Sequence, residues 1–277
     1  MKLALNGATI MRSPLAGDIE IAAACGYGAI EVWYDKLVAY LRTRSLEELG
    51  GRLAALSLPP WCINSIEEIT PRDRVGREEV FTRLREVSAI ARAIGAPSIV
   101  VVPGRAPEAM SRADRVADAV EMLRAMSEIA GDVSLAFEFL GKPGCSVPTL
   151  DMAIEIVGAV DRRNVGMVID TFHFHAGGSA LDDIDRVDIA KLFVVHLNGC
   201  EDVVRSDLTD AHRLYPGEGV IPSEAILSRL RARGFDGVVS IEIFRPEYWE
   251  QDPTTVARAA KKKAEAILTK AGYTIDG

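Results

Sequence analysis

Short runs of consecutive apolar residues recur along the chain, and each follows an amphipathic segment that ends near a glycine. Residues 93–95 (AIG) precede the run that begins at Ser98, and residues 232–234 (ARG) precede the run that begins at Val238. Glycine supplies the left-handed residue that ends many helices, and an uninterrupted apolar run is typical of a parallel strand buried on both faces. The pattern therefore predicts helices that alternate with buried parallel strands.

Eight such runs are predicted to be strands, and helical patterns separate them. The predicted strands are residues 3–6, 29–33, 58–64, 98–103, 134–139, 166–170, 192–197 and 238–243. The clearest predicted helices are residues 78–94, 112–130, 149–160 and 223–233. Eight strands alternating with helices in 277 residues predict an α/β fold, a (β/α)8 TIM barrel that forms a single domain over residues 1–277. A doubly wound sheet is disfavoured, because residues 6–10 (NGATI) are not a glycine-rich phosphate turn.

Charge and cysteine content narrow the class of protein. The chain has 32 lysines and arginines against 40 aspartates and glutamates, a net charge of −8, and it has no extended basic block. Such a protein is a poor candidate for binding nucleic acid or an anionic membrane. No apolar run approaches the roughly 18 residues of a membrane span, and the apolar start is too short for a signal peptide. The four cysteines are far apart in sequence, which predicts reduced thiols and a cytoplasmic protein.

Four residues with side chains that can bind metal lie near the ends of the fifth to eighth predicted strands: Glu138, Asp170, His196 and Glu242. The carboxyl ends of barrel strands meet at one rim, where active sites are built. A charge in a core strand costs several kcal/mol unless it is paired or bound to metal, and these strands contain no lysine or arginine. Three carboxylates and one imidazole suit one divalent ion, with manganese expected first and cobalt, magnesium or zinc as alternatives. Only four ligands come from the protein, so open positions would remain for substrate oxygens.

Five further residues near the carboxyl ends of the second, third, fifth, sixth and eighth predicted strands are predicted to contact the substrate. They are His173, Lys142, Arg245, Trp33 and Asn64. For each, a structural role is the alternative: a core histidine or aromatic, a solvated lysine, or, for Arg245, a salt bridge to Glu247 or Glu250.

The strand-end set, together with residues 170–173 (DTFH), resembles the xylose isomerase-like TIM barrel superfamily of sugar isomerases and epimerases. Residues 213–219 (RLYPGEG) and 239–248 (VSIEIFRPEY) are similar to the branch that isomerises inososes, such as 2-keto-myo-inositol, in inositol catabolism. These motifs all lie in the second half of the chain. The resemblance implies that the four strand-end residues bind one divalent metal and that Glu138 and Glu242 move the substrate proton.

The reaction that this resemblance implies is the shift of a carbonyl to the adjacent carbon of a neutral polyol ketone through an enediolate. A ketose 3-epimerase or an inosose dehydratase (a lyase) on the same metal site remains open, and a non-catalytic polyol-binding barrel is the least favoured alternative. Residues 198–219 carry five acidic and two basic side chains, which disfavours a phosphorylated sugar. The expected partner is therefore a small neutral polyol or ketose, with no nucleic acid or membrane partner, and a homo-oligomer is compatible with these expectations.

Overall fold

The structure, a computed structural model, describes residues 1–70 and 73–275. Eight parallel strands close into a barrel. They are β1 (Lys2–Asn6), β2 (Ala29–Trp33), β3 (Pro60–Ile66), β4 (Ser98–Val101), β5 (Ser134–Glu138), β6 (Val165–Asp170), β7 (Leu192–Leu197) and β10 (Val238–Ile241). Each strand pairs with its neighbours in chain order, and β10 closes the ring onto β1. The predicted TIM barrel is therefore confirmed.

Helices connect the strands around the outside of the barrel. They are α1 (Leu15–Ala24), α2 (Tyr34–Leu41), α3 (Leu46–Ala55), α4 (Arg74–Ile94), α5 (Arg112–Ala130), α6 (Leu150–Val160), α7 (Thr171–Ala176), α8 (Ser223–Ala232), α9 (Pro246–Trp249) and α10 (Pro253–Lys270). Side-chain caps begin several of them, as at Asp73, Ser111 and Asp252. In the described part of the chain, no helix is long and apolar enough to cross a membrane.

The connection between β7 and α8 contains a two-stranded hairpin of β8 (Gly199–Cys200) and β9 (Arg213–Leu214). The hairpin brings the long loop back toward the ends of β6 and β7. Arg213 thereby enters the barrel mouth, although it is far from these strands in sequence.

Most strand bounds agree with the prediction to within two residues. β4 ends at Val101 and β10 at Ile241, each two residues before the predicted end. At the end of β10 the Thr9 hydroxyl donates a hydrogen bond to the Ile241 carbonyl and accepts one from the Ile243 amide. Glu242 therefore lies one residue beyond its strand. α4 begins at Arg74 instead of residue 78, because Asp73 caps it by accepting a hydrogen bond from the Gly76 amide.

Small apolar side chains fill the lower interior of the barrel, one from each strand. The layer consists of Ala4, Ala29, Cys62, Val100, Ala136, Val168, Val194 and Val238. Successive strand residues point to opposite faces, so the residues two positions further on also point inward. That next layer is Asn6, Glu31, Asn64, Val102, Glu138, Asp170, His196 and Ser240. An apolar floor is thus followed by a largely polar ring at the carboxyl ends of the strands.

A buried ion pair holds the turn that follows β1. Lys36 Nζ donates to the carbonyls of Gly7 (2.8 Å) and Ile10 (3.0 Å) and pairs with Asp18 Oδ2 at 2.8 Å. Burial lowers the pKa of Lys36 and raises the pKa of Asp18 to about 6. The turn is therefore stabilised by charges that have little access to water.

Replacing Lys36 with methionine is expected to lower the free energy of unfolding by about 3–5 kcal/mol, because it leaves a buried carboxylate and two carbonyls without their donor. The matched control is Arg85→Met, which breaks the exposed pair with Glu78 and should change stability by less than about 1 kcal/mol. Urea unfolding followed by circular dichroism measures both. Equal effects of the two substitutions would contradict the role of the buried pair.

Candidate metal centre and active site

The four strand-end residues singled out by the sequence come together at the mouth of the barrel. Ligand atoms of Glu138, Asp170, His196 and Glu242 lie within 4.8 Å of one another, and all four residues are buried. Metal–ligand bonds of about 2.0–2.4 Å place opposite donors about 4–5 Å apart, so this spacing suits one ion. The donor set of three carboxylates and one imidazole fits a divalent cation.

The two carboxylate oxygens of Asp170 differ in their shortest contacts, and Asn198 Nδ2 lies near both, at 3.3 and 3.4 Å. Its Oδ1 accepts hydrogen bonds from the amides of Phe172 (2.6 Å) and His173 (3.0 Å) and so caps α7. Its Oδ2 lies 2.6 Å from Arg213 Nη1 and faces the other ligands. The helix cap therefore fixes the orientation of the carboxylate and directs Oδ2 toward Arg213 and the other proposed ligands.

Glu242 is oriented in a similar way by amide donors from the first and third strands. Its Oε1 accepts hydrogen bonds from Asn6 Nδ2 at 3.0 Å and from Asn64 Nδ2 at 2.9 Å. Its Oε2 lies 3.3 Å from Arg213 Nη1 and 3.4 Å from His196 Nδ1. Two neutral donors thus hold one oxygen while the other faces the cluster.

The imidazole of His196 has carboxylates on both sides: three of them face Nδ1, and one faces Nε2. Its Nδ1 is 3.1 Å from Glu138 Oε1 and 3.9 Å from Asp170 Oδ2. Its Nε2 is 3.0 Å from Glu31 Oε1, on the opposite side of the ring. Nδ1 is therefore the nitrogen that faces the potential metal position.

Arg213 is the buried arginine that pairs with the proposed metal ligands. Sequence reasoning missed this role. Its side chain is only 1% exposed and its guanidinium lies over the rings of Phe172 (4.6 Å) and Phe244 (5.3 Å). Besides Asp170 and Glu242 it binds Asp210, with Nη2 at 3.1 Å from Oδ1. The sequence shows an arginine in an acidic loop and carries no signal that this residue is buried.

Burial and neighbouring charges shift the ionisation of the cluster. Burial raises the pKa of Glu138 to about 7 and also raises the pKa of Glu242. Burial alone would raise the pKa of Asp170 as well, but the Arg213 guanidinium holds it well below its usual range. For His196, burial favours the neutral ring, yet the surrounding carboxylates raise its pKa well above the usual value. The metal-free cluster therefore retains protons that a cation would displace.

A cavity of about 350 Å³ opens above the cluster, within the size range of small-molecule sites. Four of the five predicted substrate-binding residues line it: Trp33, Asn64, Lys142 and His173. Arg245 is not among the lining residues. Its guanidinium pairs with Glu201 at 2.7 Å and with Glu247 at 3.4 Å, which corresponds to the structural alternative.

His173 forms part of the cavity wall as a neutral ring. Burial lowers its pKa to about 3. Its Nε2 lies 3.3 Å from Arg213 Nη2, and a guanidinium can only donate, so Nε2 accepts and Nδ1 carries the proton. Within the described residues, this buried Nδ1 has no hydrogen-bond partner. His173 is therefore left with one free donor.

Lys142 reaches across the cavity mouth to the opposite loop. Its Nζ lies 2.7 Å from Asp210 Oδ2, and Asp210 also pairs with Arg213. Burial raises the pKa of Asp210, but the Arg213 guanidinium first and Lys142 after it lower this pKa to about 2. Two of the cations that line the cavity are thus already compensated by carboxylates.

Glu31, Asn6 and Asn198 are further polar residues of the site that sequence reasoning did not single out. Asn198 Nδ2 donates to Asp170 Oδ1 at 3.3 Å and to the Glu242 carbonyl at 3.2 Å. Asn6 ends the first strand, and Glu31 interrupts the apolar run of the second. Polar residues at strand ends or within buried strands are the signal that identified the metal-binding candidates, so the same signal could have identified these residues.

Comparison with known proteins places the chain in a family. A model described as xylose isomerase-like TIM barrel matches residues 19–267, and the chain belongs to this family. It is similar to proteins named inosose isomerase, with 37% identity to that of Halalkalibacterium halodurans over 98% of this chain and 97% of the relative. The Bacillus subtilis protein of that name is 36% identical, over 98% and 99% of the two chains.

A solved structure is similar over almost the whole chain. It is the IOLI protein with a bound zinc atom, with a TM-score of 0.96 and 35% sequence identity, and the match covers 99% of this chain and 100% of that one. The zinc is a property of that relative. Together with the buried donor set found here, it supports a divalent metal site in this protein.

The affinity of the site for divalent metal is expected to fall as the pH falls through 7. Glu138 is protonated below its pKa of about 7 in the metal-free protein, so the ion must displace that proton. From about pH 8 to about pH 6 this group alone should weaken binding about tenfold, and protonation of His196 adds to the loss. Calorimetric titration in buffers of different ionisation enthalpy measures affinity and proton release. The same affinity at both pH values, without proton release, would contradict this assignment.

Proposed function

We propose that this protein is a divalent-metal-dependent inosose isomerase that moves the carbonyl of a cyclic polyol ketone to the adjacent carbon. The observation that carries the proposal is the buried Glu138–Asp170–His196–Glu242 cluster at the base of a cavity. Near-full-length similarity to inosose isomerases supports the substrate class and a place in inositol catabolism.

The four clustered side chains would hold the metal, for which we propose manganese, with cobalt, magnesium or zinc as alternatives. When bound, a divalent ion would polarise the substrate carbonyl and stabilise the negative charge of an enediolate. The amide donors of Asn6 and Asn64 hold the Glu242 carboxylate in place for that role.

Glu138 and Glu242 are the groups that we propose to move the proton. Both line the cavity, and one takes the proton from the carbon beside the carbonyl while the other, or the same one, returns a proton to the neighbouring carbon. Their environments differ: Glu242 is held by two amides and by Arg213, whereas Glu138 Oε1 faces His196. Burial raises the pKa of both carboxyl groups, which suits exchange of a proton near neutral pH.

The cavity wall supports a neutral polyol as the substrate. Five carboxylates and three cationic side chains line it, and two of these cations, Lys142 and Arg213, are paired with Asp210. A phosphate dianion would therefore gain little attraction. We propose that the free Nδ1–H of His173 donates to a substrate oxygen and that Trp33, Asn64 and Lys142 complete the binding surface.

The test is conversion of a substrate panel in D2O by the metal-loaded protein, followed by NMR. The panel contains 2-keto-myo-inositol, fructose, tagatose and fructose 6-phosphate. We expect kcat/KM to be at least about tenfold higher for the inosose, which corresponds to about 1.4 kcal/mol of transition-state discrimination. Solvent deuterium should appear on the carbon next to the carbonyl.

The test variants are Glu138→Gln and Glu242→Gln, each of which keeps the size of the side chain and removes its charge. Each should lower kcat by at least about 100-fold, because a proton-transfer group and a metal ligand are lost together. More efficient epimerisation of a ketohexose at C3 would instead identify a ketose 3-epimerase, and loss of water would identify a dehydratase. Full retention of substrate hydrogen would contradict proton transfer by the glutamates.

A further inference from the structure

Glu31 is a fully buried carboxylate inside the barrel that the proposed reaction does not use. It lies within β2, where Ile30 and Val32 flank it, in the polar ring above the apolar floor. Its Oε1 lies 3.0 Å from His196 Nε2 and accepts a hydrogen bond from Asn64 Nδ2 at 2.9 Å. Among the described residues, His196 is the only ion-pair partner found for this carboxylate.

The second carboxylate oxygen of Glu31 has weaker polar contacts than the first. Oε2 is buried and has no hydrogen bond of good geometry among the described residues, although the Ser240 hydroxyl and the Cys62 thiol are near enough to lower the pKa of the Glu31 carboxyl. A buried acceptor without a donor destabilises the fold. The hydrogen bonds of Glu31 that have distances within the normal range are thus on the oxygen that faces His196.

The geometry of His196 relates Glu31 to the metal position. Nδ1 points at the oxygens of Glu138 and Glu242, 3.1 and 3.4 Å away, and Nε2 points at Glu31. A neutral imidazole carries one proton, and a nitrogen that binds a metal must have its lone pair free. Metal binding at Nδ1 therefore requires the proton to reside on Nε2. Glu31 Oε1 can then accept a hydrogen bond from this N–H.

We propose that Glu31 is a positioning residue that holds His196 in the tautomer with a free Nδ1, fixes the plane of its ring and increases its basicity toward the metal. A carboxylate or carbonyl that accepts the second N–H of a ligating histidine performs this role in metal sites generally. Asn64 donates to both Glu31 Oε1 and Glu242 Oε1, so it connects the supporting carboxylate to one of the proposed ligands. The inference rests on the metal site of the proposed function and does not depend on the substrate.

Two substitutions separate the charge of Glu31 from its hydrogen bond. Glu31→Gln keeps the shape and one acceptor oxygen but removes the charge, and Glu31→Leu removes both. We expect the dissociation constant for zinc or cobalt to rise in both variants, by about 10- to 100-fold in Glu31→Leu and by less in Glu31→Gln. The control is Val87→Ala, a buried change in α4 outside the barrel, which should lower the thermal midpoint and leave metal affinity unchanged.

Nitrogen-15 NMR of the zinc-loaded protein gives a readout that does not require turnover. In the wild type, His196 should carry its proton on Nε2, and that proton should be protected from exchange with water. In Glu31→Leu the protection should be lost. This result, together with weaker metal binding, would support the proposal even if the chain did not act on an inosose, so the two proposals can fail separately.

Three results would overturn the role of Glu31. The first is unchanged metal affinity in both Glu31 variants together with a lowered thermal midpoint, as in Val87→Ala, which would make Glu31 a structural residue. The second is a wild-type His196 protonated on Nδ1 in the zinc-loaded protein. The third is a wild-type protein that binds no divalent ion. If Glu31→Leu does not fold, Glu31→Gln with unchanged affinity and an unchanged His196 signal would decide against the proposal.

Discussion

The interaction on which the site depends is the burial of four carboxylates around one imidazole and one guanidinium. Glu31, Glu138, Asp170 and Glu242 all lie inside the barrel mouth, and Arg213 is the only arginine or lysine paired with any of them among the described residues. Buried charges of one sign are unfavourable unless a counter-charge is close. Proton uptake by Glu138 and His196 relieves part of this excess, and a divalent cation would relieve more of it. This charge balance is the physical reason why we expect metal affinity to depend on pH.

The barrel provides this arrangement through the two-residue alternation of its strands. Each strand contributes a small apolar residue to the interior floor, and the residue two positions later belongs to the polar ring. The fold and the proposed ligands could be predicted from the sequence for this reason, since Asp170 and His196 each follow an uninterrupted apolar run. Glu31 is also a charged residue in an apolar run, but it lies in the middle of residues 29–33 and not at the end of the predicted strand. Ala29 points into the barrel, so the two-residue alternation predicts that Glu31 points inward as well.

The part of the site that could not be predicted comes from loops. Arg213 reaches the cluster only because the hairpin of β8 and β9 folds back over the barrel mouth. In the sequence it is one of two basic residues in an acidic segment, where an exposed position is the ordinary expectation. Arg245 shows the converse: it lies three residues after Glu242, yet its guanidinium pairs with Glu201 and Glu247. Local spacing does not determine the partners of such side chains, because these depend on contacts between distant segments.

The most direct test of this account is an anomalous difference map from crystals of the protein loaded with manganese or cobalt. The account predicts one peak at the base of the cavity, with bonds of about 2.0–2.4 Å to a carboxylate oxygen of Glu138, Asp170 and Glu242 and to Nδ1 of His196. A well-ordered metal-loaded crystal with no peak among these four residues would contradict it, and so would a metal bound through Nε2 of His196.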